Sequence, residues 1–355
     1  MPLLPRTPSP REVGSLAIIG LVVAAGAAAF AYTAGWLSPD RLTPTKLVGS
    51  LAPKDGPALG HRRNHAKGIC FTGVFEANGD GVQLSRAGIF AAGKHPALGR
   101  FNLGTADPNA PDATVRVRGL GLQLTATDGA VWRAAMIDPP VFPVATAEGF
   151  YELQTAAHSA DPQALPAFVA RHPEFLAFAA WAKSAPWTGS YAETAFHSLN
   201  AFVFVDGAGG EHAVRWAFEP QAEVVPMTEA ALAALGPDHL EEEIATRVAA
   251  APQRWTLTVT VADPGDPTAD ATKVWPPGRR TVEVGTLVVD KIEAERDGPC
   301  RDINFDPTIL PDGIRVSDDP LPAARSAAYA KSYDLRTAEA KDYPTHQQTT
   351  TGGEQ

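Results

Sequence analysis

The chain has few of the residues that staple or metallate small proteins. Among its 355 residues are two cysteines, Cys70 and Cys300, with no CxxC pair and no cysteine–histidine cluster. That excludes a disulfide-dense scaffold and a cysteine-ligated structural zinc centre. The two thiols can pair in an oxidising compartment or stay as buried apolar groups, and the second state is the expected one. Positive charge is also short: 30 lysines and arginines stand against 40 aspartates and glutamates, a net charge of −10. A surface of that sign repels phosphate backbones, so nucleic acid is not an expected partner. Hydrophobic residues make up 45% and charged residues 20%, enough to bury a sizeable core.

Charge vanishes between Val13 and Pro39, VGSLAIIGLVVAAGAAAFAYTAGWLSP. The run exceeds the ~20 residues that span a bilayer and the ~7 to 15 apolar residues of a signal-peptide core. It is therefore read as an uncleaved transmembrane anchor over residues 14–37, behind a short tail at 1–13. Tyr32 and Trp36 suit an interfacial belt at one end. Arg6 and Arg11 on one side balance Arg41, Lys46 and Lys54 on the other, so charge does not orient the helix. A tail this short commonly stays inside, which places the main domain outside the cytoplasm, periplasmic or otherwise extracytoplasmic. Residues 38–60, rich in Pro, Gly and Lys, read as a linker, and the polar stretch 341–355 as a disordered tail.

Between them, residues 61–340 form the expected main domain. GICFTGVF, RAGIF, TVRVRGLGLQL, AVWRAAM, AFVFVDGAGGEHAVRWAF, RWTLTVTV and RTVEVGTLVVDKI are short apolar runs divided by turn signals such as NGDG and TDG. They supply about eight antiparallel strands, enough to close a barrel. Three stretches carry helical spacing instead: PQALPAFVARHPEFLAFAAWAK, MTEAALAALGPDHLEEEIATRVAAA and PLPAARSAAYAKSYDLRTAEAK. The class is thus α+β, a barrel with surrounding helices and an N-terminal transmembrane helix.

The last helix presents a narrow stripe. At about 100° per residue, with Arg325 at 0°, Tyr329 falls near 40° and Arg336 near 20°. An amphipathic face could collect these three by chance. A guanidinium one turn from a phenol also lowers its pKa by roughly 1 to 3 units, and a metal would complete its deprotonation. A second group stands far upstream, in RRNHAKG at 62–68, where a histidine sits at the mouth of a strand. His61 and His65 have the i, i+4 spacing of helical zinc pairs but lead into a strand and lack a third ligand. The acidic stretch ADPGDPTADATK lacks the calcium-loop pattern.

RSAAY, with arginine four residues before tyrosine, resembles the proximal motif of haem catalases, in which the tyrosine binds iron. NFDPTILPDGIRVSDDPL resembles the segment leading into that helix, and RRNHAKG the distal motif, with Arg62 three residues before His65. RFNLGTADPNAPDATVRVRGLGLQL, ending in the Arg118–Gly119 pair, and FHSLNAFVFVDGAGGEHAVRWAF are similar to further barrel segments. The resemblance runs in order over roughly residues 60 to 338. It implies haem b as cofactor, His65 as distal acid and base, and Tyr329 as axial ligand with Arg325 beside it. It further implies Arg62, Arg118 and Arg336 at the haem propionates, Phe150 on the distal face and Phe142 as another pocket aromatic.

The pattern also breaks. Where catalases carry a distal asparagine, WRAAMIDPPVF places Ile137, followed by Asp138. Isoleucine donates no hydrogen bond to peroxide. No counterpart of the long wrapping segment and helical domain of full catalases follows the last helix, which leaves the haem edge more open to organic molecules. These departures resemble the catalase-related peroxidases. The expected activity is reduction of organic peroxides or hydrogen peroxide with an organic electron donor. Its competitors are a true catalase, a non-enzymatic haem-binding or peroxide-sensing membrane protein, and a hydroperoxide rearrangement enzyme.

Overall fold

The computed structural model describes residues 9–38, 40–53 and 56–339. The strands are β1 (Gly68–Ala77), β2 (Gly93–Leu103), β3 (Arg118–Thr125), β4 (Val131–Ile137), β5 (Phe196–His197), β6 (Phe202–Val205), β7 (Glu211–Pro220), β8 (Gln253–Val261), β9 (Thr281–Glu293) and β10 (Ile314–Val316). All pairings are antiparallel, in the order β10-β6-β7-β5-β4-β3-β2-β1-β9-β8. An additional β7–β8 pairing closes the ring. The result is an eight-stranded barrel in which β5 and β6 share one edge of β7, interrupted at Ser198–Ala201.

Period-two alternation explains the core. Leu120, Leu122 and Leu124 of β3, Trp132, Ala134 and Met136 of β4, and Phe101 and Leu103 of β2 point inward and are buried together. Phe101 stacks on Tyr191 at 5.2 Å, and Trp132 meets Trp216 edge-on at 5.0 Å. The alternate residues face outward, toward the helices that cover the barrel.

The helices are α1 (Pro10–Thr33), α2 (Pro44–Gly49), α3 (Ala147–Ala157), α4 (Ala164–Arg171), α5 (Phe175–Ser184), α6 (Glu229–Ala233), α7 (His239–Ala250) and α8 (Leu321–Ala338). The two middle helical stretches of the sequence each fold as a pair, broken at His172–Glu174 and at Ala234–Asp238. The expected anchor region is helical but begins earlier, at Pro10, and ends at Thr33. Its span Val13–Thr33 has a mean hydropathy of 2.3 and none of it is buried against the rest of the chain.

Two expectations are corrected. Cys70 and Cys300 are not free thiols; they form a disulfide that ties β1 to the segment after β9. Within residues 38–60, read as a linker, α2 is capped by the Thr43 side chain, buries Leu47 and Val48, and packs on α8. RAGIF is a 3-10 turn over Gly88–Phe90 rather than a strand, and the strand that follows is β2. Its first half, GKHPAL, hides a proline that the sequence pattern reads as a breaker. Phe150 lies on α3, a helix capped by the Thr146 side chain. The expected disordered tail at 341–355 lies outside the described residues.

Candidate active site

RRNHAKG is held as a rigid loop before it does anything else. The Arg63 backbone N–H donates to Ser332 Oγ on α8, and its guanidinium pairs with Glu339. At the other end, buried Lys67 pairs with Asp112 at 2.7 Å and donates to the Ala110 carbonyl. Between these ties His65 takes a left-handed backbone, φ 56°. Among the described residues only His65 and Leu199 do so without being glycine. Such a conformation costs about 1 to 3 kcal/mol and persists where the surroundings over-determine it. The Asn64 side chain helps by accepting the His65 backbone N–H at 2.9 Å.

The imidazole is oriented by β2. Asn102 Oδ1 lies 2.7 Å from His65 Nδ1. An amide oxygen only accepts, so Nδ1 carries the proton and Nε2 keeps a free lone pair. Burial pulls the His65 pKa down to about 4, against the Asn102 hydrogen bond, and the positive charges of Arg100, Arg325 and Arg62 pull it further. The imidazole is therefore neutral, and base-competent, throughout the neutral range. Gly119, paired opposite Asn102, leaves the space this arrangement needs: a Cβ there would stand 2.2 Å from Asn102 Oδ1.

Three guanidiniums gather beside it on the stretch from Glu295 to Ile303. Arg62 donates to Glu295 at 2.6 Å and to the carbonyls of Cys300 and Ile303. Arg100 donates to Glu295 at 2.6 Å and to the carbonyls of His65 and Ala66. From α8, Arg336 donates to the carbonyls of Arg301 and Ile303. Burial alone would raise the Glu295 carboxyl, but Arg100 and Arg62 outweigh it and hold it below the usual range. The Cys70–Cys300 bridge pins the same stretch to β1. Three positive charges and one negative leave an excess of two, and the buried Arg100 Nε has no hydrogen-bond partner. The cluster is net positive around its one carboxylate, an environment that favours a further anion.

Arg325, Tyr329 and Arg336 all lie on α8. Arg325 Nη2 donates to the Tyr329 phenol at 3.2 Å and to the Ala135 carbonyl at 2.7 Å, while Nη1 donates to Asn200 Oδ1 at 2.7 Å. Asn200 in turn donates to Asp319 at 2.9 Å. The chain Asp319–Asn200–Arg325–Tyr329 fixes the phenol against the outer face of β4.

The structure thus brings together His65, Arg62, Arg325, Tyr329 and Arg336. It does not bring in Arg118. That guanidinium is 3% exposed and turned toward Thr188 Oγ1 at 2.6 Å, the Ser190 carbonyl and Thr194 Oγ1. Arg100 takes the third place in the arginine cluster instead. Phe150 stacks on Phe142 at 5.6 Å in a cluster with Val144, Leu153 and Phe168. Phe142 and Ile137 both pack on Leu199, Ala271 and Leu321, which joins the two aromatics to the site's apolar side. Sequence reasoning missed Arg100, Asn102, Asn200 and Glu295. Alternation along β2 would have put Arg100 and Asn102 on one face, opposite Phe101 and Leu103, had the strand been recognised.

A neutral imidazole, an arginine cluster around one carboxylate and an arginine-backed phenol, all outside a closed barrel, are the groups of a redox enzyme that moves protons beside a bound anionic cofactor. Comparison with known proteins makes this particular. The family model described as "Catalase" matches residues 27–345, and the chain belongs to the catalase family. A "Catalase-related peroxidase" of Synechococcus elongatus is 35% identical over 329 residues, covering 91% of this chain and 96% of the relative. Another from Mycolicibacterium paratuberculosis is 31% identical over 299 residues, covering 83% and 95%. Catalase-1 of Arabidopsis thaliana is 26% identical, and the match covers 84% of this chain but 65% of that protein. In fold the chain resembles catalase A from Saccharomyces cerevisiae, with a TM-score of 0.70 at 20% identity, over 79% of this chain and 62% of that one. The protein is an oxidoreductase, a peroxidase of the haem catalase family.

Proposed function

We propose that this chain is a membrane-anchored peroxidase that binds haem b and reduces organic peroxides or hydrogen peroxide with an organic electron donor. The observation that carries this reading is the pairing of Arg325 with Tyr329 on one side and of Asn102 with His65 on the other. The residues fit haem. Tyr329 would ligate the iron as phenolate, with the Arg325 guanidinium donating a hydrogen bond to its oxygen. Arg62, Arg100 and Arg336 would take the two propionates, matching the excess charge left by Glu295. When bound, haem supplies the redox centre at which the peroxide O–O bond is cleaved.

The chain's own residues do the rest. His65 Nε2 accepts the proton of the peroxide O–H and returns it to the departing oxygen, so that water or an alcohol leaves as a neutral molecule. Asn102 keeps the imidazole in the tautomer this requires. Ile137 offers no hydrogen bond where catalases carry a distal asparagine, which favours oxidation of an external donor over disproportionation. Phe142, Phe150, Ile137 and Leu199 give an apolar approach suited to organic molecules. The exposed span Val13–Thr33 is about 31 Å long at 1.5 Å per residue, the thickness of a bilayer core. Its insertion would put the barrel at a membrane surface, outside the cytoplasm.

The test is to reconstitute the protein with haem and compare oxygen release with oxidation of an organic donor under the same peroxide. Donor oxidation should dominate. Oxygen evolution from hydrogen peroxide alone, at a rate exceeding donor oxidation, would instead make the protein a true catalase.

A further inference from the structure

The joint between the exposed span and the barrel is folded. After α1 ends at Thr33 the chain turns back on the helix: Gly35 takes φ 80° and the Trp36 backbone N–H donates to the Ala31 carbonyl at 2.8 Å. Arg41 closes the turn. Its guanidinium donates to the carbonyls of Tyr32 at 2.8 Å and Thr33 at 3.4 Å, and lies 5.0 Å from the centre of the Tyr32 ring. The last carbonyls of a helix have no intrahelical partner, and a cation there also meets the negative end of the helix dipole. Lys46, on α2, donates to the Arg41 carbonyl at 3.1 Å. The end of α1 and the start of α2 are thereby clasped together.

From α2 the grip passes to the site. Leu47 and Val48 are buried, and α2 packs on α8, the helix of Arg325, Tyr329 and Arg336. Beyond α2, the Gly60 backbone N–H donates to Glu339 at 2.9 Å, and Arg63 pairs with Glu339 and reaches Ser332. Glu339 closes α8 about 15 Å along the helix from Tyr329. The loop that carries His65 starts from these same ties. Span, α2, the end of α8 and the His65 loop therefore form one connected body. The turn between β3 and β4 stands apart from it: Thr127 lies past Thr125, about 20 Å along β3 from Gly119.

The surface of the joint is that of a bilayer interface. Trp36 and Leu37, directly after the span, are 71% and 61% exposed, and Phe30 meets Trp36 edge-on at 5.5 Å. Aromatic rings at the end of an apolar span sit at headgroup level, where an apolar body and a polar tip are both satisfied. Arg41 and Lys46 against Asp40 leave the joint positive in a chain of net charge −10, the sign that suits headgroup phosphates. We propose that this joint is a rigid interfacial collar, which seats the α8 side of the barrel, with Tyr329 and the His65 loop, on the headgroups of a phospholipid bilayer. The proposal rests on the reading of Val13–Thr33 as a membrane anchor. It adds which face of the barrel meets the lipid and that this face is held there, so that the site works at the headgroup layer.

The test uses the full chain in phosphatidylcholine nanodiscs. With Cys70 and Cys300 bridged, an introduced cysteine takes a nitroxide label alone. Labels on Val23→Cys in α1 and Thr127→Cys at the barrel turn should give one narrow spin–spin distance distribution, and Arg41→Ala should broaden it. A single label on Asp334→Cys, exposed on α8, should be relaxed by a lipid carrying a nickel-chelating headgroup, and one on Thr127→Cys should not. The fluorescence lost in Trp36→Phe should be the fluorescence that lipid brominated near the headgroup quenches, and lipid brominated near the chain ends should quench it less. A broad distance distribution with Arg41 intact would overturn the proposal, as would equal relaxation at Asp334 and Thr127, or Trp36 fluorescence untouched by either lipid. Protein that fails to enter nanodiscs would refute the anchor reading and the seating together, whereas inserted protein with a broad distribution would refute the seating alone.

Discussion

The guanidinium of Arg325 lies 3.2 Å from the phenol oxygen of Tyr329, one helical turn further along α8. The same guanidinium bonds the Ala135 carbonyl and Asn200, so it cannot swing away from the phenol without leaving two further groups unpaired. Arg325→Ala is expected to lower haem affinity and to alter the spectrum of the bound haem. Asn200→Ala should produce a smaller change of the same kind, because it removes one of three restraints. Haem titration followed by absorption spectroscopy measures both.

His65 works as a base only when neutral. With its pKa near 4, peroxide cleavage should hold constant from neutrality to about pH 5 and fall below about pH 4. An ordinary imidazole would begin to lose activity near pH 6.5. His65→Ala should retain haem and cleave peroxide about 10²- to 10⁴-fold more slowly. Stability follows from the same shift. Between about pH 4 and 6.5 the unfolded chain binds the proton and the folded chain does not, so His65 makes the fold less stable as the pH falls through that window. Equilibrium unfolding of wild type and His65→Gln at pH 7 and pH 5 should show the larger loss in wild type.

Asp138 has the opposite sign. Burial raises its carboxyl to about 7, against the Arg118 backbone N–H at 2.8 Å. The folded chain therefore holds a proton that the unfolded chain releases above about pH 4, and this stabilising contribution is lost as the pH rises toward 7. Asp138→Asn, which keeps an acceptor for that N–H, should match wild type near pH 4 and become the more stable of the two above pH 7. Denaturant midpoints across that range give the comparison.

Much of this was legible in the sequence because it is local. The Arg325–Tyr329–Arg336 stripe needs only helical periodicity, and the barrel strands declare themselves by β-branched runs between turn signals. The failures have physical causes. Pro96 and the flanking glycines disguised β2, and with it Arg100 and Asn102, so the arginine of an Arg-Gly pair was assigned in place of Arg100. Arg118, the first residue of β3, pairs with Leu103 of β2, and its guanidinium turns toward Thr188 rather than His65. Glu295 could not be read at all, since its role depends on three arginines drawn from residues 62 to 336. The Cys70–Cys300 pairing, across 230 residues, is one of two states the sequence leaves open, and nothing local in the sequence decides between them.

That disulfide anchors the stretch whose carbonyls hold Arg62 and Arg336. Replacing both cysteines by alanine is expected to cost about 2 to 5 kcal/mol of stability and to weaken haem binding, which thermal melts and haem titration would register. A double variant with unchanged haem affinity would mean that the arginine cluster holds the stretch without the bridge.

Ile137→Asn places a hydrogen-bond donor opposite Gly119, in the cross-strand row whose other end, Asn102, orients His65. Oxygen evolution from hydrogen peroxide should rise relative to donor oxidation, and an oxygen electrode run beside a donor assay reads the ratio.

The most direct test is the optical spectrum of the reconstituted protein and of Tyr329→Phe. Wild type should show the high-spin ferric spectrum of a tyrosinate-ligated haem, and the variant should lose it while keeping the circular dichroism of the barrel. A folded Tyr329→Phe protein with the wild-type haem spectrum would contradict the assignment of Tyr329 as the iron ligand.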